Sequence, residues 1–213
     1  MSSTTIPTLY GLFFCFIAFM MGAVPFGFIA GRMRGIDLRE KGSGNIGATN
    51  VLRVLGKGPG IAVLLLDAAK GYGPVAYSQG ILHLNPWWTL AVGVSSVLGH
   101  TYSPFVRFKG GKGVATSLGV LLGLAPIIAG LSLLGFILTV AITRYVSLGS
   151  MIAASLTAIL FWTLPGYPIA FKLFGLACVF FIVIRHRANI RRLLNGTENK
   201  ISFSTTSSPE DKN

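Results

Sequence analysis

The chain has 213 residues, of which 52% are hydrophobic and only 11% charged, and its 18 Lys and Arg outnumber 6 Asp and Glu to give a net charge of +12. A soluble domain carries about 25% charged residues. Here the apolar residues come in blocks rather than stripes and the mean hydropathy is +0.69, which excludes a water-soluble fold and leaves a polytopic membrane protein. The basic excess then reads as orientation in the bilayer and affinity for phosphorylated ligands, not as a nucleic-acid surface.

Apolar runs cover 8–30, 59–81, 86–106, 114–143 and 146–184. The first three each match one span of about 20 residues. The opening MSSTTIPTLYGL has no basic n-region and no small-residue cleavage site, so run 8–30 reads as a retained span. Run 114–143 contains Pro126 and is long for one span. A single crossing would place Arg144 opposite Arg107, Lys109 and Lys112; a double crossing with a turn near Pro126 returns it to the basic side. Run 146–184 breaks at Leu-Pro-Gly-Tyr-Pro, residues 164–168, into two helices.

The expectation is an all-α membrane protein: one polytopic helical bundle of about seven transmembrane helices, N-terminus outside and C-terminus inside. Residues 1–200 form the membrane domain, and 201–213 a polar, disordered cytosolic tail. Outside, Lys172 stands almost alone among basic residues, near a helix end where it can snorkel. Cys15 and Cys178 lie in apolar runs, far from disulfide or metal spacing.

The inside loops carry the polar motifs. The first, Lys-Gly-Ser-Gly-Asn-Ile-Gly-Ala-Thr-Asn-Val (41–51) followed by Arg53, offers glycine backbone N–H groups beside Ser43, Asn45, Thr49 and Asn50. It reads either as a phosphate cradle around Gly44 or as a Gly-rich turn that lets helices pack closely. It is not a P-loop, because the G-x-x-x-x-G-K-[ST] spacing is absent. The second, Arg-Phe-Lys-Gly-Gly-Lys-Gly (107–113), precedes a new helix. Membrane anchoring accounts for Arg107 and Lys109 but not for Gly110, Gly111 and Gly113 around Lys112, so Lys112 is the leading site residue, a point charge for phosphate.

In the third loop, Ser147 and Ser150 flank a helix start as caps or as ligand contacts. In the fourth segment His186 and Asn189 share a helical face at i and i+3. Asp67 and Lys70, also at i and i+3 inside the second run, read as a buried structural pair or as part of a functional cavity. No His, Cys, Asp or Glu cluster has metal-ligand spacing, so neither metal nor cofactor is expected.

Ser-Gly-Asn-Ile-Gly-Ala-Thr-Asn-Val, Gly-His-Thr-Tyr-Ser-Pro-Phe with Phe-Lys-Gly-Gly-Lys-Gly-Val-Ala-Thr, Thr-Arg-Tyr-Val-Ser-Leu-Gly-Ser, and Arg-His-Arg-Ala-Asn-Ile with Leu-Leu-Asn-Gly-Thr-Glu occur in that order. Together they resemble the bacterial acyl-phosphate:glycerol-3-phosphate acyltransferase family of phospholipid synthesis. The resemblance runs from the first span to about Lys200. It implies an inner-membrane enzyme with a cytosol-facing site that moves a fatty acyl group from acyl phosphate to the 1-hydroxyl of glycerol 3-phosphate. The products would be lysophosphatidic acid and inorganic phosphate.

On that resemblance Lys112 and Arg53 hold phosphate charge. Ser43, Asn45, Thr49 and Asn50, with nearby Gly N–H groups, bind the acyl-phosphate head or the oxyanion. Ser150, His186 and Asn189 fix glycerol 3-phosphate, and Glu198 orients a cation. The base is a substrate phosphate oxygen or His186. None of His83, His100 or His186 begins the H-x-x-x-x-D pattern of soluble-type glycerolipid acyltransferases. A transporter or channel for phosphate or a phosphorylated metabolite is the alternative, but it would place its anion site near the midplane on broken helices.

Overall fold

The computed structural model describes residues 5–201. Among these there are ten α-helices, one 3-10 turn and no strand. Helices α1 (Thr5–Ala23) and α2 (Phe26–Arg32) follow one another, and α3 (Ala48–Leu55) is short and amphipathic. Next come α4 (Lys57–Gly80), α5 (Pro86–Thr101) and a 3-10 turn at Pro104–Val106. The second half holds α6 (Val114–Leu124), α7 (Pro126–Thr143), α8 (Val146–Thr163), α9 (Ile169–Arg185) and α10 (Arg187–Leu194).

Proline and capping residues set most boundaries. Pro126 occupies the first position of α7, where its missing N–H is harmless, and so ends α6 after 11 residues. Asn85 caps α5, its Oδ1 accepting from the N–H groups of Trp87 and Trp88 at 3.0 and 3.1 Å. Run 86–106 was expected to be one element; the helix stops at Thr101, and Pro104 begins the separate turn. The Gly-rich loop after residue 41 likewise closes with α3, an eight-residue helix where an irregular segment was expected.

The first run is broken at Pro25, which cannot continue the hydrogen-bond ladder. The carbonyls exposed there are taken by distant side chains. Ser103 Oγ donates to Ala23 O at 2.6 Å, and Lys70 Nζ donates to Val24 O at 2.7 Å. Lys70 also pairs with Asp67 at 2.8 Å, and Asp67 lies 3.6 Å from His100 Nδ1. The Asp67–Lys70 pair therefore staples the α1–α2 break to α4 and α5, as its structural reading has it, while Asp67 and His100 also line the main cavity.

Helix α1 packs on α5, α4 on α6, α7 on α8, and α8 on α9. At Gly22 and Gly99 between α1 and α5, and at Gly71 and Gly119 between α4 and α6, a Cβ would collide with the facing backbone. Such close approach supplies the packing that the hydrophobic effect does not supply inside a bilayer. The core gathers Val75, Val97, Val120, Leu124, Ile128, Phe161 and Phe171, while Phe16, Ile142 and Phe180 turn outward at 61%, 82% and 72% exposure. An apolar exterior of this kind is solvated by lipid.

Residues 8–32, α7 and α8 are each long and apolar enough to cross a membrane, and α9 joins them if it is taken with α10 across a 63° bend. The length and apolarity test is thus met by three or four of the expected seven spans. Helix α6, at 1.5 Å per residue, is only about 17 Å long, and α4 carries Asp67 and Lys70. From 202 onward the expected tail lies outside the described residues.

Candidate active site

The polar loops and the joint after α9 converge on one cavity of about 250 Å³. Its first wall is the Gly-rich loop, which Asn50 holds shut. Buried Asn50 accepts the Ser43 N–H at 2.8 Å through Oδ1 and donates through Nδ2 to Leu38 O at 3.1 Å and Lys41 O at 3.0 Å. An amide is needed, because only it offers an acceptor and two donors in one plane. Asn45 Oδ1 accepts the Gly47 N–H at 2.7 Å, a local turn that leads into α3. The helix then presents Thr49 and Arg53 to the cavity.

The second wall is the loop before α6. The Gly110 N–H donates to Thr101 O at 3.0 Å, so it is spent on packing. Gly110 and Gly111 lie so close to the His100 carbonyl and ring that neither has room for a Cβ. Gly113 adopts φ +83°, a left-handed conformation that L side chains resist, and starts α6. Arg185 Nη2 donates to Gly111 O at 3.1 Å and pins the loop from α9. The glycines thus press the loop onto α5 and carry Lys112 into the cavity.

The third wall is built around Glu198. Its Oε1 accepts Ser147 Oγ at 2.7 Å and Asn189 Nδ2 at 2.6 Å; its Oε2 accepts Arg192 Nε at 2.7 Å. Asn189 Oδ1 in turn accepts Lys112 Nζ. Beyond Glu198 the chain is tied down where the Ile201 N–H meets Arg144 O at 2.9 Å. Burial alone would raise the Glu198 carboxyl, but the hydrogen bonds from Ser147, Asn189 and Arg192 outweigh it and hold it below its ordinary range. Burial pulls the Lys112 ammonium down to about 8; Glu198 opposes that shift, while Arg192, Arg185 and Arg53 add to it. Buried His186 donates from Nδ1 to Ile182 O at 2.9 Å, which leaves the lone pair of the neutral ring on Nε2.

Below this polar mouth the cavity continues between α6, α7, α8 and α9. Its lining there is mostly apolar, with Leu118, Leu121, Leu133, Phe136, Ala154, Phe174 and Ile182 beside the hydroxyls of Ser132 and Thr157. The two ends therefore offer opposite chemistries, one for an anion and one for a hydrocarbon chain.

Of the residues singled out in sequence, Ser43, Asn45, Thr49, Asn50, Arg53, Lys112, Ser150, His186, Asn189 and Glu198 all line this cavity. Gly44 and Gly110 face a second, polar cavity with Lys109 and Arg185 instead, and Gly111 and Gly113 line neither. The hydroxyl of Ser150 donates to Val146 O at 2.9 Å, within its own helix. Ser147, read as a cap or a ligand contact, was given no role in the site, and Arg192 was not among the candidates. Each sits three residues from one that was, Ser147 before Ser150 and Arg192 after Asn189, and helical spacing was the signal for both. Among the described residues no three His, Cys, Asp or Glu gather as a metal site.

A sequence model of the family "Glycerol-3-phosphate acyltransferase" matches residues 12–196. The chain is 45% identical over 192 residues to a glycerol-3-phosphate acyltransferase of Synechococcus sp. (strain JA-3-3Ab), covering 90% of this chain and 93% of that protein. With the glycerol-3-phosphate acyltransferase of Geobacter sulfurreducens it shares 47% identity over 190 residues, 86% of this chain and 94% of the relative. Its fold is similar to a crystal structure of PlsY (YgiH), an integral membrane glycerol 3-phosphate acyltransferase, in the glycerol 3-phosphate form. The TM-score is 0.87 at 39% identity, over 91% of this chain and 96% of the other. The lysophosphatidic acid form of PlsY gives 0.83 at 40% identity, with the same coverage.

Proposed function

Since the chain belongs to the glycerol-3-phosphate acyltransferase family and is an integral membrane enzyme that produces lysophosphatidic acid, we propose that acyl phosphate is its donor and that its cavity holds both substrates at the cytosolic edge of a bacterial inner membrane. The observation that carries this reading is the pairing of a cationic mouth with an apolar shaft in one cavity. The phosphates of both substrates sit in the mouth and the acyl tail lies in the shaft. Leu64 and Leu133, 43% and 37% exposed, leave the shaft wall accessible sideways to a tail dissolved in lipid.

In this reading Lys112 and Arg53 bind phosphate charge. Ser43, Asn45 and Thr49 hold the acyl-phosphate head and stabilise the oxyanion of the attacked carbonyl. Ser150, His186 and Asn189 fix glycerol 3-phosphate, and Asn50 acts through the loop it clasps. The 1-hydroxyl oxygen bonds to the acyl carbon, the bond from that carbon to the phosphate oxygen breaks, and inorganic phosphate leaves. The hydroxyl proton passes to a phosphate oxygen of the substrates. A mixed anhydride carries its own leaving group, so positioning and charge stabilisation suffice and no protein nucleophile is required. His186→Gln should then keep measurable turnover, whereas loss of a general base costs roughly 10²–10⁴-fold.

The matching topology has seven spans, α6 being a short one, with the N-terminus outside, the C-terminus inside and residues 1–200 as one unit. Single-cysteine labelling in a chain lacking Cys15 and Cys178 should find positions 41, 109 and 200 cytosolic; periplasmic labelling at any of them overturns it. The donor is tested with purified protein and glycerol 3-phosphate, offered acyl phosphate, acyl-CoA or acyl-carrier protein separately. Lysophosphatidic acid is expected from acyl phosphate alone, and product from either thioester refutes the assignment.

A further inference from the structure

The apolar shaft ends abruptly, at a depth on which three helices agree. Along α8 the lining runs from Ser147 to Thr157, about 15 Å at 1.5 Å per residue. Along α9 it runs from His186 to Phe174, about 18 Å by the same rise. On α7 the deepest lining residue is Ser132, about 17 Å from the helix end at Thr143. One leaflet of a bilayer offers its acyl tails about 15 Å, half of the hydrocarbon core. From its polar mouth to its floor the cavity is therefore about as deep as one leaflet's acyl region.

What closes it is specific. Thr157 Oγ1 donates to Ala153 O at 2.9 Å, so the Ser132 hydroxyl is the donor in the 2.9 Å bond between Ser132 Oγ and Thr157 Oγ1. Both residues are buried, and each short side chain satisfies the other across α7 and α8. The pair closes the gap between the helices without leaving an unpaired polar group in an apolar wall. Below it Ile128, Phe161 and Phe171 fill the space, with Ile128 and Phe161 wholly buried and the Phe161 and Phe171 rings 6.4 Å apart. An interior packed this way resists even one added methylene.

We propose that Ser132, Thr157 and Phe174 are the floor of a length gauge, and that the enzyme selects its acyl donor by where the terminal methyl meets that floor. The inference rests on the reading of the shaft as the acyl-tail site and adds what that reading leaves open, its chain-length specificity. A tail longer than the shaft must buckle or lift its phosphate away from Lys112. A shorter tail leaves apolar wall without contact. Both lower kcat/KM, and a single methylene in a hydrophobic pocket is worth roughly 10–200-fold. Ala154, also buried and lining the shaft, sits one turn nearer the mouth than Thr157, so depth can be altered in steps.

The test measures kcat/KM for lysophosphatidic acid formation with dodecanoyl, tetradecanoyl, hexadecanoyl and octadecanoyl phosphate, one at a time. The wild type should rise to one optimal length and then fall. Phe174→Ala should move the optimum to longer chains. Thr157→Leu should move it to shorter ones, and Ala154→Leu further in that direction. The long-to-short ratio should change about tenfold or more at each step, while KM for glycerol 3-phosphate stays constant. If Phe174→Ala does not fold, Phe174→Leu takes its place. A flat wild-type profile, meaning that tails leave sideways past Leu133, overturns the proposal, as does an unchanged optimum in folded, active variants. Inactivity with every acyl phosphate but turnover with another donor refutes the donor assignment instead, and the same length series on that donor then decides the gauge.

Discussion

Lys70 and Lys112 are both lysines drawn into the interior of a membrane protein, and they are held in opposite ways. Lys70 is 5% exposed and spends itself on protein: a carboxylate at 2.8 Å and a freed backbone carbonyl at 2.7 Å. Lys112 hydrogen-bonds, among the described residues, to the neutral oxygen of Asn189, and the carboxylate of Glu198 stands one residue further back. An ammonium has three donors. With a carboxylate and a carbonyl as partners it is mortar; held through an amide relay it keeps charge and donors for a ligand. On the proposed reading, that difference separates a staple from a site more sharply than burial does.

That contrast can be broken by mutation. Lys70→Ala leaves Asp67 buried without its ion-pair partner, which should cost roughly 3–5 kcal/mol of stability, read as a lowered melting temperature in detergent. Molecules that remain folded should keep their turnover number. Lys112→Ala should do the reverse, with melting unchanged and kcat/KM lowered on the order of 10²–10³-fold, as for other lost transition-state donors. If each variant showed the other's behaviour, the distinction would be wrong.

Lys112→Arg should also be impaired, though less than alanine, because a planar guanidinium replaces a point charge in a loop with no spare room. The pH dependence sharpens the same point. On the proposed reading Lys112 binds phosphate in its protonated form, and burial holds its pKa at about 8, so kcat/KM should fall as pH rises through that value. Glu198 is held ionised well below neutrality, and it adds no limb in that range. In Lys112→Arg the alkaline limb should vanish; its persistence would assign it to another group. The smallest effect is expected from Lys109→Ala, an exposed residue outside the main cavity, where near-wild-type activity separates a specific lysine from general basic charge.

Sequence patterns carried the helices well where proline and turn chemistry mark the chain, as at Pro126 and at residues 164–168. They missed the α1–α2 break, because Pro25 lies in an apolar run and its compensating partners, Lys70 and Ser103, are 46 and 80 residues away in the hydrogen bonds they make. They put His186 and Asn189 on one helical face but did not separate α10 from α9. The basic residues of α10 look like membrane anchors, and only the bend after Arg185 turns Arg192 toward Glu198. Within the site, residue types were legible and roles less so. Asn50 reads in sequence as a ligand donor, but all its hydrogen bonds hold the loop. Gly110 and Gly111 read as substrate-binding glycines around Lys112, and what the packing shows is their close approach to His100, which leaves neither room for a Cβ. Composition says which groups are near a site; it does not say on whom their hydrogen bonds are spent.

The Glu198 hub also bears on how the protein is made. Ribosomes deliver chains N-terminus first, and earlier parts fold while later ones are still being synthesised. Lys112 and the Gly-rich loop emerge early, but Asn189, Arg192 and Glu198 come from the last stretch before residue 201. A nascent chain with six apolar helices already in the membrane thus has its cation but nothing to aim it. On the proposed reading, Lys112 is aimed only once residues 189–201 fold back to meet Ser147 and Arg144. On the same reading, a chain cut after Arg185 should insert and span the bilayer yet form little lysophosphatidic acid, because Lys112 lacks the Asn189–Glu198 relay that holds it.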